Sequence, residues 1–324
     1  MRAVVISRAG GPEVLEITER PTPDPVEGEV LIRIRAFGLN RAELFTRRGD
    51  SGDAVRWPRI IGIECVGEVV EAPGTPFEPG QKVAAMMGGM GRAFDGSYAE
   101  YTRVPMRSVF PVETSLDWAT FGALPEMFQT CNGSLRTGLR MAKGDTLLVR
   151  GGTSSIGLTS AVIAKRIGAR VLATTRSPSK TDALKSAGVD EVILDEGGSL
   201  VDAVRAVAPQ GVDKVLELIG TTTLNDSLRC CAPGGIVCMT GILGGRWIWN
   251  DFEPLVDIPN GVCLTSYGGG SEDVTAEDLQ AYVRAVERGE APSNLDRTFT
   301  LDQIQDAHRY MEANRARGKL VVVV

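Results

Sequence analysis

An apolar run, Leu147-Leu148-Val149, ends at Arg150 and two glycines; small polar residues follow, and then apolar positions at helical spacing up to Ile167 and Gly168. This order predicts a buried parallel strand over 146–150, a tight turn, and a helix over 155–167 that stops at glycine. The alternation continues downstream. Strands are predicted at 170–175, 191–194, 213–218, 235–240 and 261–266, with helices at 179–187, 198–207 and 222–230 between them. Strand and helix in regular alternation make a doubly wound parallel sheet with helices on both faces. The first part of the chain has a different pattern. Short runs at 4–6, 14–18, 29–35, 65–71, 82–86 and 97–104, separated by Pro- and Gly-rich turns, predict a compact β-rich, barrel-like domain. A short helix is expected at 40–45. Residues 117–138 read as helical, interrupted by Pro125. The C-terminal part carries helix 275–288, strand 298–301, helix 302–313 and a terminal strand 319–324 that returns to the first domain. The expected organisation is 1–120, then 121–266 for the parallel sheet, then 267–324 as the return. The fold class is α/β.

The turn after strand 146–150 carries the main candidate chemistry. Gly151, Gly152, Thr153, Ser154, Ser155, Ile156 and Gly157 link a strand to a helix N-terminus, where backbone N–H groups can hold a phosphate. The glycines let the backbone turn and approach a ligand, and Gly157 lets the helix come close to the strand. The next strand ends at Thr175, followed by Arg176, Ser177 and Lys180, with no acidic residue between 172 and 181. A ribose 2′-hydroxyl is met by Asp or Glu at this place and a 2′-phosphate by Arg. The pattern therefore predicts NADP(H).

Composition narrows the classes. The chain has 324 residues and a net charge of −6, and it has no basic block, which excludes nucleic acid as its main partner. No apolar run is long enough to span a bilayer, so no membrane partner is expected. The first residues read as a strand rather than a signal peptide, which gives a cytoplasmic expectation. Six cysteines lack C-x-x-C spacing and are expected to be reduced core thiols. No metal is expected. Three Cys, His or carboxylate ligands are needed for a catalytic zinc, Glu64-Cys65 offers only a weak pair, and the one histidine, His308, falls in a predicted helix.

Several motifs taken together resemble the quinone oxidoreductase branch of the medium-chain dehydrogenase/reductase superfamily, the zinc-independent one. They are Gly38-Leu39-Asn40-Arg41-Ala42-Glu43, Gly62-Ile63-Glu64-Cys65-Val66-Gly67, Gly96-Ser97-Tyr98-Ala99-Glu100-Tyr101, the 151–157 turn, Gly220 before Leu224-Asn225, Gly234-Gly235 and Gly318-Lys319. The resemblance runs nearly the length of the chain. It implies a GroES-like catalytic domain at both chain ends, an inserted Rossmann domain, and homodimers joined through the Rossmann sheets with 261–266 on the dimer side. Zinc-bearing cousins would carry Cys near position 40 and His before Glu64, where this chain has Asn40 and Ile63. Short-chain dehydrogenases need Tyr-x-x-x-Lys, which none of the tyrosines begins.

The resemblance also implies roles. Asn40 would point its amide at the nicotinamide and at a substrate carbonyl oxygen, with a helix cap as the alternative. Thr130 and Lys319 would contact the cofactor, and so would Gly220 and the strand end Gly241-Ile242-Leu243. Met127 is expected to line the same cleft. Trp247 and Trp249, with Phe252, form an aromatic cluster that suits a lid over a flat substrate, a dimer contact or a loop plug. Arg47, Arg48 and Trp57 are expected at a cleft mouth. Related enoyl reductases place a proton-donating Tyr in this region, and none occurs between 38 and 60. The expected activity is NADPH-dependent hydride transfer to a small quinone or activated α,β-unsaturated carbonyl, without metal. The alternatives are an enoyl-thioester or enone reductase, and a non-catalytic NADPH-binding redox sensor.

Overall fold

The computed structural model describes residues 1–324. It divides into two units, Met1–Gln129 with Gly270–Val324, and Thr130–Gly269. The first unit opens with β1 (Arg2–Ile6), β2 (Glu16–Glu19) and the long β3 (Glu29–Leu39), followed by α1 (Arg41–Arg48). It continues through β4 (Arg59–Ile60), β5 (Glu64–Glu71), β6 (Lys82–Met86), β7 (Tyr101–Pro105) and β8 (Val109–Pro111), then α2 (Trp118–Gly122) and α3 (Pro125–Gly133). In β3, Val30, Ile32 and Ile34 point into the core while Arg33 is exposed, the alternation of a half-buried strand.

The second unit contains β9 (Thr146–Arg150), α4 (Ser155–Ile167), β10 (Arg170–Thr175), α5 (Thr181–Ser186), β11 (Glu191–Leu194), α6 (Val201–Val207) and β12 (Val212–Glu217). It ends with α7 (Leu224–Cys230), β13 (Cys231–Met239), α8 (Pro254–Asp257) and β14 (Cys263–Ser266). All six strands run parallel, in the order β11-β10-β9-β12-β13-β14. The order reverses at β9, so the turn after it lies at the carboxyl ends of the strands beside the switch point, where open α/β sheets bind ligands.

The chain then returns to the first unit with α9 (Ala276–Glu287), β15 (Leu295–Thr300), α10 (Ile304–Glu312) and β16 (Lys319–Val323). The last strand pairs antiparallel with β3, Val321 opposite Gly38, and parallel with β15. Its place beside β3 makes the second unit an insertion.

The seams fall at 129/130 and 269/270 rather than at the sequence-based 120/121 and 266/267. The change of pattern near 117 marks the start of helices, but α2 lies on the β-rich unit. A Cβ on Gly122 would stand 2.9 Å from Ala36 Cβ and 3.2 Å from Val321 Cγ1, so only glycine lets α2 sit this close to β3 and β16. Pro125 opens α3, where its missing N–H costs nothing.

Candidate functional site

In the inserted unit the glycine turn leads straight into the N-terminus of α4. Gly151 has φ +91°, a conformation that favours glycine, and its N–H donates to Thr174 Oγ1 at 3.0 Å. Ser154 caps α4: its Oγ accepts from Gly157 N at 3.0 Å and donates to Gly151 O at 2.9 Å. A Cβ on Gly157 would lie 2.6 Å from the carbonyl oxygens of both Gly151 and Gly152, so the helix start rests directly on the turn. The N–H groups of Ser155 and Ile156, in the first turn of α4, have no protein acceptor. They are the donors a bound phosphate would meet. Ile156 O also accepts from Cys131 Sγ.

At the end of β10, Arg176 is exposed and Lys180 half-buried, and neither forms an ion pair. Ser177 Oγ is 2.8 Å from Ser179 Oγ. Two unspent cations beside the turn after a second parallel strand fit a 2′-phosphate.

Glu217, at the end of β12, was missed by sequence reasoning. It is fully buried, accepts from Ile219 N at 2.7 Å and Gly220 N at 3.0 Å, and receives the Ser227 hydroxyl. Burial pushes its carboxyl above the usual range. This side chain shapes the turn at Gly220, whose φ is +108°. The N–H groups of Gly241 and Leu243 are already spent on Glu217 O at 3.1 Å and Leu218 O at 3.0 Å, so only Ile242 of these three keeps its N–H for a clamp. Thr130 O accepts from Ser134 Oγ at 2.6 Å. The aromatic cluster separates: the Trp249 ring lies tilted against Phe252, centroids 3.9 Å apart, and packs on the sheet core, while Trp247 is exposed. Trp249 thus faces the sheet and Trp247 faces solvent.

In the β-rich unit, five residues from four elements meet in one buried polar cluster: Asn40 and Glu43 at the start of α1, Glu64 on β5, Glu126 on α3 and Lys319 on β16. Lys319 Nζ lies 2.6 Å from Glu64 Oε1 and 3.2 Å from Glu126 Oε2, and also donates to Asn40 Oδ1. Asn40 Nδ2 donates to Glu64 Oε1 at 3.0 Å and Glu43 Oε1 at 3.3 Å. An ammonium only donates and carboxylates only accept, so these neighbours fix which way the Asn40 amide faces. Glu43 also accepts from Asn40 N at 2.7 Å and Ile63 N at 3.1 Å, and Glu64 from Glu126 N at 2.9 Å.

The cluster gives the Asn40 amide partners of its own. Both amide hydrogens face carboxylates, those of Glu64 and Glu43. The side chain fixes Lys319 between its carboxylates. Gly38 is required here, since a Cβ would lie 2.3 Å from Glu64 Oε1 and 2.4 Å from Lys319 Cε. Three carboxylates face one ammonium out of water. Burial, with Glu64 adding to it against Lys319, lifts Glu43 to about 7, and burial raises Glu64 as well. Burial lowers the Lys319 pKa, but its carboxylate neighbours outweigh that and hold it charged. The sequence signals for this cluster were Glu43 three residues after a candidate capping Asn and Glu64 directly before the strand expected at 65–71.

Other expectations land elsewhere. Met127 is fully buried. Arg47 does not line a cleft mouth: it is buried, donates to Gly10 O at 3.1 Å and to His308 Nδ1 at 3.0 Å, and pairs with Glu312. His308 is a buried core residue whose Nε2 is 3.0 Å from the Tyr98 hydroxyl. Five cysteines are free and buried, but Cys263 is exposed on β14. No group of three or more Cys, His or carboxylates is arranged to hold a metal ion.

The alcohol dehydrogenase GroES-like domain family matches residues 26–114, and the zinc-binding dehydrogenase family matches 187–322. The quinone oxidoreductase of Pongo abelii is 25% identical over 334 residues, covering 100% of this chain and 98% of its own. Among solved structures, a mycobacterial protein complexed with NADPH superposes with a TM-score of 0.88 at 25% identity, covering 100% of both chains. An NAD-dependent alcohol dehydrogenase does so with a TM-score of 0.88 at 26% identity, again covering 100% of both.

Proposed function

Because the chain belongs to the medium-chain dehydrogenase/reductase superfamily and is a nicotinamide-dependent oxidoreductase, we propose that it is an NADPH-dependent reductase of quinones or activated α,β-unsaturated carbonyls. The observation that carries the cofactor choice is the pair of unpaired cations, Arg176 and Lys180, after β10. The quinone oxidoreductase of Pongo abelii supports the acceptor class. When bound, reduced nicotinamide supplies hydride. The chain's own contribution is positional. Ser155 and Ile156 offer N–H groups to a phosphate, Gly151 and Gly157 let the backbone approach it, and Arg176 and Lys180 select the 2′-phosphate.

Asn40 serves as a positioning residue that holds the Lys319 ammonium between its carboxylates. No tyrosine stands between 38 and 60 to donate a proton, which favours acceptors whose reduced oxygen takes its proton from water, as quinones do. We further propose that the protein acts as a homodimer joined through the edge strand β14.

A charge-assisted hydrogen bond contributes about 1.5–3 kcal/mol, and about 1.4 kcal/mol is tenfold in affinity. NADPH should therefore bind at least about tenfold tighter than NADH, and Arg176→Ala should weaken NADPH while leaving NADH nearly unchanged. Titration of both cofactors against both proteins checks this, and equal affinities in the unaltered protein would overturn it. Steady NADPH consumption with a panel of quinones and enones separates a reductase from a cofactor-binding sensor. Activity confined to enoyl thioesters would move the assignment to the alternative acceptor class.

A further inference from the structure

The β-rich unit holds a pocket of about 500 Å³. Its lining lies entirely between Met1 and Pro105 and includes no member of the Lys319 cluster. A volume of this size takes a molecule of about one or two rings. Val5 of β1 and its cross-strand partner Ile60 of β4, both buried, give it an aliphatic wall. Phe94 and Tyr101 add aromatic rings. Pro21, Pro23, Pro58 and Pro105 add rigid surface without backbone N–H groups. Orientation of a bound molecule therefore falls to the charged side chains.

These are three guanidinium groups, Arg20, Arg59 and Arg103, and two carboxylates, Glu29 and Asp95; the Met1 ammonium, also in the lining, is 3.6 Å from its own carboxylate, Glu19. Arg103 is spent: its Nε lies 3.1 Å from Glu29, and its Nη1 donates to Asp24 O at 3.0 Å. Arg59 is held by one corner only. Its Nη1 donates to Asp95 Oδ1 at 2.8 Å, and the same oxygen accepts from Ile60 N at 3.1 Å. The other edge of the guanidinium, Nε and Nη2, has no protein acceptor, and Nε is out of water. A buried donor without an acceptor carries a cost that an incoming acceptor removes. Arg20 has neither an ion pair nor a side-chain hydrogen bond. The pocket thus keeps one positive charge in excess.

We propose that this pocket binds a flat apolar monocarboxylate, its carboxylate on the Nε–Nη2 edge of Arg59 and its ring against Phe94 and the prolines. That edge of a guanidinium is the fork that grips a carboxylate through two parallel hydrogen bonds. One excess positive charge, carried by Arg20, matches one negative charge. Glu29 and Asp95 line the same pocket and repel a doubly charged anion such as a phosphate monoester. The site is independent of which acceptor the enzyme reduces.

The probe is 2-naphthoate, titrated by calorimetry at low salt into the full chain with and without NADPH, beside the neutral 2-naphthamide and the dianionic 2-naphthyl phosphate. The proteins are the unaltered chain, Arg59→Gln, Arg59→Lys, Arg20→Gln and, as a control, Arg229→Gln on α7. The naphthoate should bind at least about tenfold tighter than the amide, the scale of one charge-assisted contact, and no weaker than the phosphate. Arg59→Gln should weaken it at least about tenfold and Arg20→Gln several-fold. Arg59→Lys, which keeps the charge and loses the fork, should also weaken it, and Arg229→Gln should leave it unchanged. Absence of naphthoate binding, equal binding of naphthoate and amide, tighter binding of the phosphate, or undiminished binding in Arg59→Gln and Arg20→Gln would each overturn the inference. Should the Arg59 variants not fold, exposed Arg20 decides through Arg20→Gln. Should NADPH not bind at all, the cofactor assignment falls, and the titration without NADPH still reads this pocket.

Discussion

His308 has its protonation state set entirely by its neighbours. Arg47 can only donate, so Nδ1 accepts, and the neutral ring carries its hydrogen on Nε2 toward Tyr98. Burial, with Arg47 adding to it, drives the pKa down to about 3. Below pH 6.5 the unfolded chain takes up a proton that the folded chain refuses, so this contribution to stability is present above 6.5 and is lost as pH falls toward about 3. Glu43 acts with the opposite sign. Its folded pKa is raised to about 7, so its contribution is present below 4.5 and is lost as pH rises through about 7. The two slopes oppose each other between those limits, and the unaltered protein alone will not separate them. His308→Gln keeps an acceptor for Arg47 and a donor for Tyr98 but cannot be protonated. Its deficit in unfolding free energy relative to the unaltered protein should shrink by about 1.4 kcal/mol per pH unit as pH falls from 6 to 4. Glu43→Gln should show its relative gain as pH rises from 5 to 7. Urea unfolding at four pH values reads both, and a pH-independent difference for His308→Gln would rule out a neutral buried ring.

At the scale of elements, the strand-turn-helix of β9 and α4 depends on the contact between Gly157 and the turn. An added methyl group at Gly157 meets backbone oxygen on two sides at 2.6 Å, and neither oxygen can move without breaking the turn. Gly157→Ala should therefore lower the melting temperature and weaken cofactor binding by about tenfold or more, the scale of one lost charge-assisted contact. Gly198→Ala, where a Cβ meets nothing within 4 Å, should leave both unchanged. Equal effects of the two substitutions would show that the close approach is not what holds the turn. These local features are the ones the sequence displays. The helix over 155–167 and the strands over 170–175 and 191–194 were predicted at their observed bounds, because periodicity, caps and glycine stops all act within a few residues. The Lys319 cluster was legible only in fragments. Residues 40, 43, 64 and 319 are brought together by the pairing of β16 with β3 and of β3 with β5, and Glu126 joins them through its N–H to Glu64; no local pattern records these contacts. The direction of the Asn40 amide followed from this assembled neighbourhood and from nothing in its own segment.

At the scale of the whole molecule, the inserted sheet ends on one side at β14. This strand pairs only with β13, and its outer edge presents free backbone groups. Just ahead of it in sequence, apolar side chains stand in solvent: Leu255 is fully exposed, Ile248 69%, Val256 66% and Trp247 54%. An uncovered parallel-sheet edge next to exposed apolar side chains is a liability that proteins cover. A second copy of the same chain, related by a twofold axis, covers both at once, since the same patch meets itself. Sedimentation at micromolar concentration should give twice the 34.6 kDa of one chain. Replacing Ile248 and Leu255 together by Lys should raise the dimer dissociation constant by at least about a hundredfold, because two exposed large apolar side chains are each worth roughly 1.5–3 kcal/mol on burial. Each substituted unit should still bind the cofactor, whose proposed phosphate contacts lie at the carboxyl ends of β9 and β10, with β12 and β13 between them and β14. A protein that remains monomeric at tens of micromolar, or a double variant that dimerises as tightly as the original, would remove β14 and the 247–256 segment as the interface.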